Sequence, residues 1–305
     1  MLDIVGIGDT NVDLIVQVDH IPTHDEKIRG TLLGKFPGGI IGNFCSAAAR
    51  FGAKTGVIAK VGNDEFGHMC MNDFSERGIN VEGMVQKDDV DTYFCFVHLD
   101  HTGEKALTIV QTSGFLPKKE EINLEYVRKA KYVHMTTLDV ELADYVFGQV
   151  KESGCILSLD IEATASKASP GLWDNLLKKL DIAFPNLSGL QALTGLDNVD
   201  EGAALLLQKG VKTVVVTCGS QGVKVYQEGR YFEHPIFKVD VKDTTGAGDC
   251  FNAVFIASLS KGWTIEQAAK YASAAAAISI QNVGAREWLP TQKDVETFIK
   301  NYGES

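Results

Sequence analysis

The chain has 305 residues, 45% of them hydrophobic, and a formal net charge of −11. This length suits one large α/β domain or two small ones, and the negative charge argues against nonspecific binding to nucleic acid or to an anionic membrane. The N-terminus lacks the basic flank and long apolar region of a signal peptide, and no apolar run reaches the ~18 residues of a membrane span. We therefore expect a cytoplasmic protein with neither nucleic acid nor membrane as a partner.

Six cysteines lie far apart in the sequence, and most of them fall in apolar runs. None forms a CxxC pair, and no Cys/His spacing is typical of a zinc site. We expect buried free thiols, which fit a reducing compartment. Cys250 directly follows Asp249, but the burial habits of free cysteine favour a packing role for it over a reactive one.

Short β-branched runs alternate with helical patterns along most of the chain. Strands are predicted at residues 4–8, 55–61, 132–135, 156–160, 181–184 and 213–218. Helices are predicted at residues 43–51, 65–77 with Asp64 as the cap, 142–153, 172–179 and 201–209. This alternation predicts a mostly parallel sheet covered by helices on both faces.

Two regions break this alternation with pairs of strands that have no helix between them. Residues 14–18 pair with 28–33 in the first region, and residues 92–99 pair with 106–111 in the second, across a turn at residues 100–103. The four strands could form a small sheet outside the main one, acting as a lid over a cleft or as a dimer contact. Extra strands on the edge of the main sheet are the alternative.

The last third begins with a predicted hairpin, residues 222–226 and 230–234, and then has three predicted helices, residues 246–259, 264–281 and 291–300. The glycine-rich turn Asp243-Thr244-Thr245-Gly246-Ala247-Gly248-Asp249 opens the first of them. Glycine lets peptide N–H groups approach a ligand closely, and a helix N-terminus favours an anion. Asp249, on the first turn, is suited to take a proton from a nucleophile that attacks a phosphoryl group.

A second glycine-rich turn, Pro37-Gly38-Gly39-Ile40-Ile41-Gly42-Asn43, precedes the first predicted helix. Asn43 can donate and accept hydrogen bonds, and Asn11 and Asp13 lie upstream, at the end of the first strand region. Together these groups suit the hydroxyls of a polyol. The alternatives are that Asn43 caps a helix and that Asp13 belongs to a turn.

Two common nucleotide-binding motifs are absent or incomplete. The chain has no GxxxxGK[ST] phosphate loop. Gly6 and Gly8 follow the first strand, but Asn11 stands where GxGxxG has its third glycine. A tight turn at the strand end explains these two glycines better than a dinucleotide fold does.

Taken together, the motifs resemble those of the PfkB, or ribokinase-like, carbohydrate kinases over essentially the whole chain. They occur in the family's order: Gly38-Gly39 with Asn43, Val61-Gly62-Asn63-Asp64-Glu65-Phe66-Gly67, Pro185-Asn186, Thr217-Cys218-Gly219 and Asp243 through Asp249. The resemblance implies a three-layer α/β/α sandwich with a mostly parallel sheet, as a single kinase domain over residues 1–305. A small β lid would be formed by about residues 14–36 and 91–112. It implies transfer of the γ-phosphoryl group of ATP to a sugar hydroxyl, with Mg²⁺ and, as a candidate, K⁺.

The resemblance also implies roles for individual residues. Asp249 matches the family's catalytic base. The family's anion hole is matched by Gly246, Ala247 and Gly248. The positions that hold the sugar are matched by Asn11, Asp13, Gly38, Gly39 and Asn43. The positions around the nucleotide are matched by Asn186, Thr217, Gly219 and Gly222. A monovalent-cation site is matched by Asp243 and Thr245, with carbonyls near Ser279 and Gly284 to complete it.

The chain departs from the family at a metal position. Gly189 stands where many members have a glutamate that organises Mg²⁺. Three readings follow: Asp160 or Glu162 takes part instead, metal handling is weaker, or the chain is a catalytically weak sugar- or nucleotide-binding regulator. We favour an active enzyme, because the base and the anion hole are intact.

Other departures bear on the substrate. Ile40 and Ile41 replace the lysine and glycine usual in ribokinases, which weakens ribose as the substrate, and Arg286 stands among residues that replace smaller ones. A phosphosugar could meet the cations Lys27, Arg29 and Lys35, although these could equally be solvated lid residues. A nucleoside kinase is a further alternative, its base contacts coming from Phe36, Tyr93 and Phe94. A homodimer through the lid is also a hypothesis.

Overall fold

A computed structural model describes residues 1–163 and 168–303. Its main sheet has eight strands: β1 (Leu2–Ile7), β4 (Thr55–Ile58), β9 (Ala130–Thr136), β10 (Ile156–Ile161), β11 (Ile182–Pro185), β12 (Thr213–Thr217), β13 (Val223–Gln227) and β14 (Arg230–His234). Their order across the sheet is β14-β13-β12-β11-β10-β9-β1-β4. The pairs from β4 to β12 are parallel, and the predicted hairpin β13–β14 adds two antiparallel strands at one edge. The predicted mostly parallel sheet is confirmed.

Four strands form a separate sheet: β2 (Asn11–Val18), β3 (Gly30–Gly38), β7 (Phe94–Leu99) and β8 (Lys105–Val110). Their order across this sheet is β3-β2-β7-β8. Both predicted strand pairs are present, each is antiparallel, and a parallel pairing of β2 with β7 joins them. The prediction of a small sheet outside the main one is thus confirmed, and the alternative, that these strands extend the edge of the main sheet, is wrong. The run at 55–61 was predicted as one strand, but it divides into β4 and β5 (Lys60–Gly62), which pairs with β6 (Val85–Lys87).

Helices cover both faces of the main sheet. They are α1 (Ile40–Arg50), α2 (Glu65–Glu76), α3 (Leu124–Val127), α4 (Val140–Val150), α5 (Pro170–Leu177), α6 (Leu187–Thr194), α7 (Val199–Gln208), α8 (Ala247–Ser260), α9 (Ile265–Ser279) and α10 (Gln292–Tyr302). Adjacent residues of β1 enter opposite cores: Ile4 packs in the cluster with α1, α8 and α9, and Val5 packs in the cluster with α4, α5 and α7. The three-layer arrangement follows. Within the described ranges, no helix is long and apolar enough to cross a membrane.

Polar side chains explain where two helices begin. The predicted cap Asp64 accepts a hydrogen bond from the Gly67 N–H, 2.7 Å away. At α1 the carboxylate of Asp9 accepts from the N–H groups of Ile40 and Ile41, both at 3.2 Å. Because α1 therefore begins at Ile40, the reading of Asn43 as a helix cap is wrong.

The polar residues upstream also lie elsewhere than expected. Asn11 and Asp13 belong to β2 of the small sheet, so they neither end the first strand nor form a turn. All six cysteines fall within the described residues, and all are free and buried, as predicted. Burial raises the pKa of the Cys250 thiol to about 12, which agrees with a packing role.

Candidate active site

The N-terminus of α8 forms an open cradle of backbone N–H groups. Gly246 has φ +75°, a backbone conformation that residues other than glycine rarely adopt. An added Cβ there would lie 3.0 Å from the Ala285 Cβ. A Cβ on Gly248 would meet nothing within 4 Å, so open space adjoins this residue. The first N–H groups of a helix have no intrahelical acceptor, and the helix dipole adds a partial positive charge. The arrangement suits an anion that enters from outside.

Asp249 lies on the first turn of this helix and is held by Asn43. The Asn43 Nδ2 donates to the Asp249 Oδ2 at 2.9 Å. Burial raises the pKa of Asp249 to about 7; the Asn43 hydrogen bond opposes this rise, and the charges of Asp9 and Glu162 add to it. A carboxylate with a pKa near neutrality is a competent general base.

Arg286 fixes the orientation of the Asn43 amide. Its side chain is 1% exposed, and its Nε donates to the Asn43 Oδ1 at 2.9 Å. Its Nη1 donates to the Asp73 Oδ2 at 2.7 Å, and its Nη2 donates to the Gly38 carbonyl. The guanidinium fits because residue 42 is glycine: a Cβ there would collide with it.

Sequence reasoning did not assign Arg286 or Asp9 to the site. Arg286 was noticed only as a large residue where smaller ones are expected, and its contacts depend on Asn43 and Asp73, far away in the sequence. Asp9 had a usable signal. It follows β1, and polar residues just after parallel strands lie at the edge where α/β proteins bind ligands.

The predicted sugar-side residues come together. Asn11 and Asp13 occupy the same face of β2, and the Asn11 Nδ2 donates to the Asp13 Oδ1 at 2.7 Å. A Cβ on Gly38 would lie 2.5 Å from the Asp13 Oδ2 and 2.7 Å from the Asn11 Oδ1, so glycine allows this close approach. The Asn11 Oδ1 is buried and has no hydrogen-bond partner within the described residues. It is an acceptor suited to a ligand hydroxyl.

The predicted nucleotide-side residues follow neighbouring strands of the main sheet. Asn186 and Thr217 form an isolated parallel bridge just beyond β11 and at the end of β12. The Asn186 Oδ1 caps α6 by accepting from the Gly189 N–H at 2.7 Å. Gly219 and Gly222 have φ of +55° and +91°, so turn geometry accounts for both glycines.

Backbone fills the space beside Gly189, where the family resemblance expects a glutamate. A Cβ on Gly189 would collide with the Ile161 carbonyl oxygen and lie 3.1 Å from the Glu162 Cα. No side chain fits at position 189 unless the backbone shifts. The Glu162 Cα lies beside the space that such a side chain would need. This steric fact is the physical reason for the departure at Gly189.

Glu162 belongs to a group of acids around Asp249. Burial raises the pKa of Asp160 well above its ordinary value, and the charges of Glu162 and Asp249 raise it further. Burial also raises the pKa of Glu162, with a contribution from Asp9. No group of three or more His, Cys, Asp or Glu side chains in the described ranges is arranged to hold a metal unaided. Carboxylate oxygens do suit Mg²⁺ that arrives with phosphates as its other ligands.

Asp243 has its carboxylate fully engaged by the protein. Its Oδ1 accepts from the Lys105 Nζ at 2.6 Å, the Thr245 Oγ1 at 2.7 Å and the Thr245 N–H at 3.0 Å. Its Oδ2 accepts from the Gly284 N–H at 3.0 Å. Burial alone would raise the pKa of Asp243, but these hydrogen bonds outweigh it and hold the pKa at about 2.

These contacts leave the predicted monovalent-cation site without a free carboxylate. Three donors converge on the Asp243 Oδ1, among them the Lys105 ammonium, whose charge offsets that of the carboxylate, and the Oδ2 accepts from the Gly284 N–H. The Ser279 hydroxyl donates to the Ala276 carbonyl of its own helix at 2.9 Å. With the Lys105 ammonium in place, Asp243 therefore offers no uncompensated negative charge to K⁺.

Comparisons with known proteins agree with this geometry. A family model described as pfkB family carbohydrate kinase matches residues 1–292. A probable fructokinase-4 of Arabidopsis thaliana is 28% identical, covering 97% of this chain and 96% of its own, and a ribokinase of Haemophilus influenzae is 28% identical, covering 97% of each. The solved structure of Arabidopsis thaliana ribokinase complexed with ribose and ATP is 26% identical, with a TM-score of 0.87 over 98% of this chain and 99% of that one.

Proposed function

Since the chain belongs to the pfkB family of carbohydrate kinases and is therefore an ATP-dependent sugar kinase, we propose that Asp249 and the N-terminus of α8 form its catalytic centre. The observation that carries the proposal is the position of Asp249. Its carboxylate has a pKa of about 7 and lies on the first turn of a helix whose N-terminus faces open space at Gly248. A base and an anion cradle are thus adjacent, as phosphoryl transfer to a hydroxyl requires.

The proposed reaction moves one proton and one phosphoryl group. A sugar hydroxyl oxygen attacks the γ-phosphorus of ATP, its proton passes to Asp249, and the bond from the γ-phosphorus to the bridging oxygen breaks to release ADP. The N–H groups of Gly246, Ala247 and Gly248 stabilise the negative charge on the transferred group. Asn43 holds the Asp249 Oδ2 in place during the transfer.

The sugar lies between β2 and α8 in this proposal. Asn11, Asp13 and the backbone of Gly38 and Gly39 receive its hydroxyls, and the unpartnered Asn11 Oδ1 accepts from one of them. The Asn43 amide has two N–H donors, and Asp249 takes one. The second is available to the sugar, which reconciles the predicted role of Asn43 in sugar binding with its observed contact.

ATP is proposed to lie over the ends of β11 and β12, beside Asn186, Thr217, Gly219 and Gly222. The Arabidopsis ribokinase neighbour was solved with ATP, which supports binding of the same nucleotide here. Mg²⁺ bound to the ATP phosphates would offset their negative charge. Glu162 and Asp160 would hold it, because the charges of Glu162 and Asp249 raise the pKa of Asp160 and that of Glu162 raises the pKa of Asp249. The Glu162 backbone also adjoins Gly189, where the family resemblance expects the metal-organising glutamate.

We do not extend the proposal to K⁺ at Asp243, Thr245, Ser279 and Gly284, because the Lys105 ammonium already pairs with the Asp243 carboxylate at 2.6 Å. A cytoplasmic location stays a prediction.

The small sheet is proposed to act as a lid and as the contact of a homodimer. It carries exposed apolar side chains: Leu32, Leu33, Phe96, Leu107 and Ile109. Leu107 and Ile109 are alternate residues of β8 and share one face, and exposed apolar surface of this kind is typical of an interaction site. A second copy of the chain would cover it.

The proposed function is tested by measuring ATP consumption with a panel of sugars, sugar phosphates and nucleosides, for the wild-type protein and Asp249→Asn. Sugar-stimulated consumption that disappears in the variant supports the proposal. Equal rates in both proteins would rule out Asp249 as the base.

A further inference from the structure

Lys105 lies on the face of the small sheet that carries Asp13. Along β8 it is opposite Leu99 of β7, which is in turn opposite Gln17 of β2. Directly paired residues share a face, and alternate residues of one strand do so as well. Gln17 therefore shares the face of Asp13, and so does Lys105. The pleat alone directs the Lys105 side chain toward the cleft rather than away from it.

Across the cleft, Lys105 meets the turn that leads into α8. Its Nζ lies 2.6 Å from the Asp243 Oδ1 and 3.2 Å from the Thr245 Oγ1. The Asp243 side chain is 5% exposed and that of Lys105 is 28% exposed. A carboxylate this deeply buried is costly without an opposite charge beside it, and Lys105 supplies that charge from β8 of the small sheet.

The same turn positions the anion cradle. Asp243 binds the N–H and hydroxyl of Thr245, the residue just before Gly246, and also the N–H of Gly284. A Cβ on Gly246 would touch Ala285, so the cradle packs directly on the segment that Asp243 holds. The charge state of this carboxylate therefore bears on where the cradle N–H groups lie.

Building on the kinase function proposed above, we propose that the Lys105 ammonium takes the place of a monovalent cation beside Asp243, so that this kinase works without K⁺. Lys105 is a positioning residue: it acts on the cradle through Asp243 and Thr245. Because it lies on the small sheet, the cation is delivered when that sheet covers the cleft, and the cradle is completed at the same moment.

The test is a monovalent-cation titration of the wild-type protein and Lys105→Met. Methionine keeps much of the side-chain length but has no charge. KCl, NH₄Cl or tetramethylammonium chloride is varied up to about 0.1 M at constant ionic strength, which equalises screening. Between the three salts, wild-type kcat/KM should change less than about twofold. In tetramethylammonium chloride, kcat/KM of Lys105→Met should be about 10²-fold below that of the wild type, the order expected for a misplaced catalytic group. K⁺ or NH₄⁺, but not tetramethylammonium, should restore much of the loss.

A second readout does not depend on the substrate or on catalysis. The melting temperature of the ligand-free protein is measured over the same titrations, since an ion that binds only the native state raises it. K⁺ should raise the melting temperature of Lys105→Met and leave the wild type unchanged relative to tetramethylammonium. If the wild type phosphorylates no acceptor, the proposed function fails, and this readout still decides the role of Lys105.

Lys179→Met is the matched control. Lys179 also pairs with a partly buried carboxylate, Asp144, at 2.6 Å, and it lies away from the cradle on the other side of the sheet. Its melting temperature should not respond selectively to K⁺. The proposal is overturned if the wild type needs K⁺ for activity or stability, or if neither K⁺ nor NH₄⁺ restores Lys105→Met.

Discussion

The Asn43 Nδ2 donates a 2.9 Å hydrogen bond to the Asp249 Oδ2, although 206 residues separate the two in the sequence. Asn43 lies in the helix that follows the sugar-side turn, and Asp249 lies in the helix that forms the phosphate cradle. The contact therefore joins the two halves of the proposed reaction: the group that holds the acceptor also orients the base. Arg286 extends this hydrogen-bond network, because its Nε donates to the Asn43 Oδ1.

The pH dependence should reveal the raised pKa of Asp249. Burial holds that pKa at about 7, so the base is lost by protonation as the pH falls through about 7, and kcat/KM should fall about tenfold per pH unit below it. An aspartate with an ordinary pKa would keep activity down to about pH 4. A rate profile that stays flat from pH 8 to about pH 5 would contradict this assignment.

Stability should respond to pH with a definite sign at the same residue. Because the folded pKa is raised, the native state binds the proton more tightly than the unfolded chain does. The free energy of unfolding therefore falls as pH rises between the ordinary pKa and about 7, and is flat above. Asp249→Asn has no carboxylate to titrate and so avoids this loss of stability. The melting temperature of the variant minus that of the wild type should therefore be larger at pH 8 than at about pH 4.

Replacing Arg286 by methionine should lower both stability and activity. The substitution removes the donors to Asn43, Asp73 and Gly38. We expect a loss of about 3 kcal/mol, at the low end for a broken buried ion pair, because Asp73 keeps its contact with Arg77 at 2.8 Å. Chemical denaturation measures this loss.

The pH dependence of kcat/KM distinguishes a purely structural role of Arg286 from an electrostatic effect on Asp249. The Arg286 charge lowers the pKa of Asp249, so Arg286→Met should move the acid limb of kcat/KM to higher pH. The control is Arg50→Met, which removes a hydrogen bond to the Leu289 carbonyl at 3.2 Å. An unshifted acid limb in Arg286→Met would mean that Arg286 supports the fold alone.

Replacing Glu162 by glutamine should weaken metal binding without displacing ATP. Glutamine keeps the size of the side chain but has no charge to offer Mg²⁺. We expect binding of Mn²⁺, as a spectroscopic probe with a nonhydrolysable ATP analogue, to weaken by at least about tenfold, the cost reported for losing even an indirect partner of a metal. Glu141→Gln, at an exposed position on α4, is the control. Unchanged Mn²⁺ affinity in Glu162→Gln would remove Glu162 from the metal site.

The homodimer should be visible by sedimentation. Leu107 and Ile109 are 60% and 56% exposed on the same face of β8. The wild-type chain should sediment at about twice its mass of 33.1 kDa at micromolar concentration, and Leu107→Glu should shift it toward the monomer. A wild-type monomer at that concentration would rule out the dimer.

Local patterns predicted the elements of this fold well where each segment's own residues decide its structure. The β-branched runs identified the main strands, and the turn at residues 100–103 identified the β7–β8 hairpin. The pattern missed α6, because its eight residues are too few to show a clear helical repeat. It also misplaced Asn43 relative to its helix, because Asp9 from another strand decides where α1 begins.

The same distinction applies to the candidate site. The family resemblance indicated the base, the cradle and the glycine turn, since each is a contiguous motif. The partners of these groups could not be predicted, because they come together only in the folded chain. Arg286 reaches Asn43 across 243 positions, and Lys105 reaches Asp243 across 138. The collision at Gly189 likewise depends on how closely the end of β10 approaches α6.

The most direct test of the account is sugar-dependent ATP consumption by the wild-type protein and Asp249→Asn. The panel of sugars, sugar phosphates and nucleosides is assayed with Mg²⁺, and the phosphorylated product is identified by mass spectrometry. We expect at least one sugar or sugar-derivative acceptor and a loss of about 10²–10⁴-fold in turnover for Asp249→Asn, with its fold and ligand binding retained. Ligand-induced stabilisation without turnover of any acceptor, or wild-type turnover by Asp249→Asn, would contradict it.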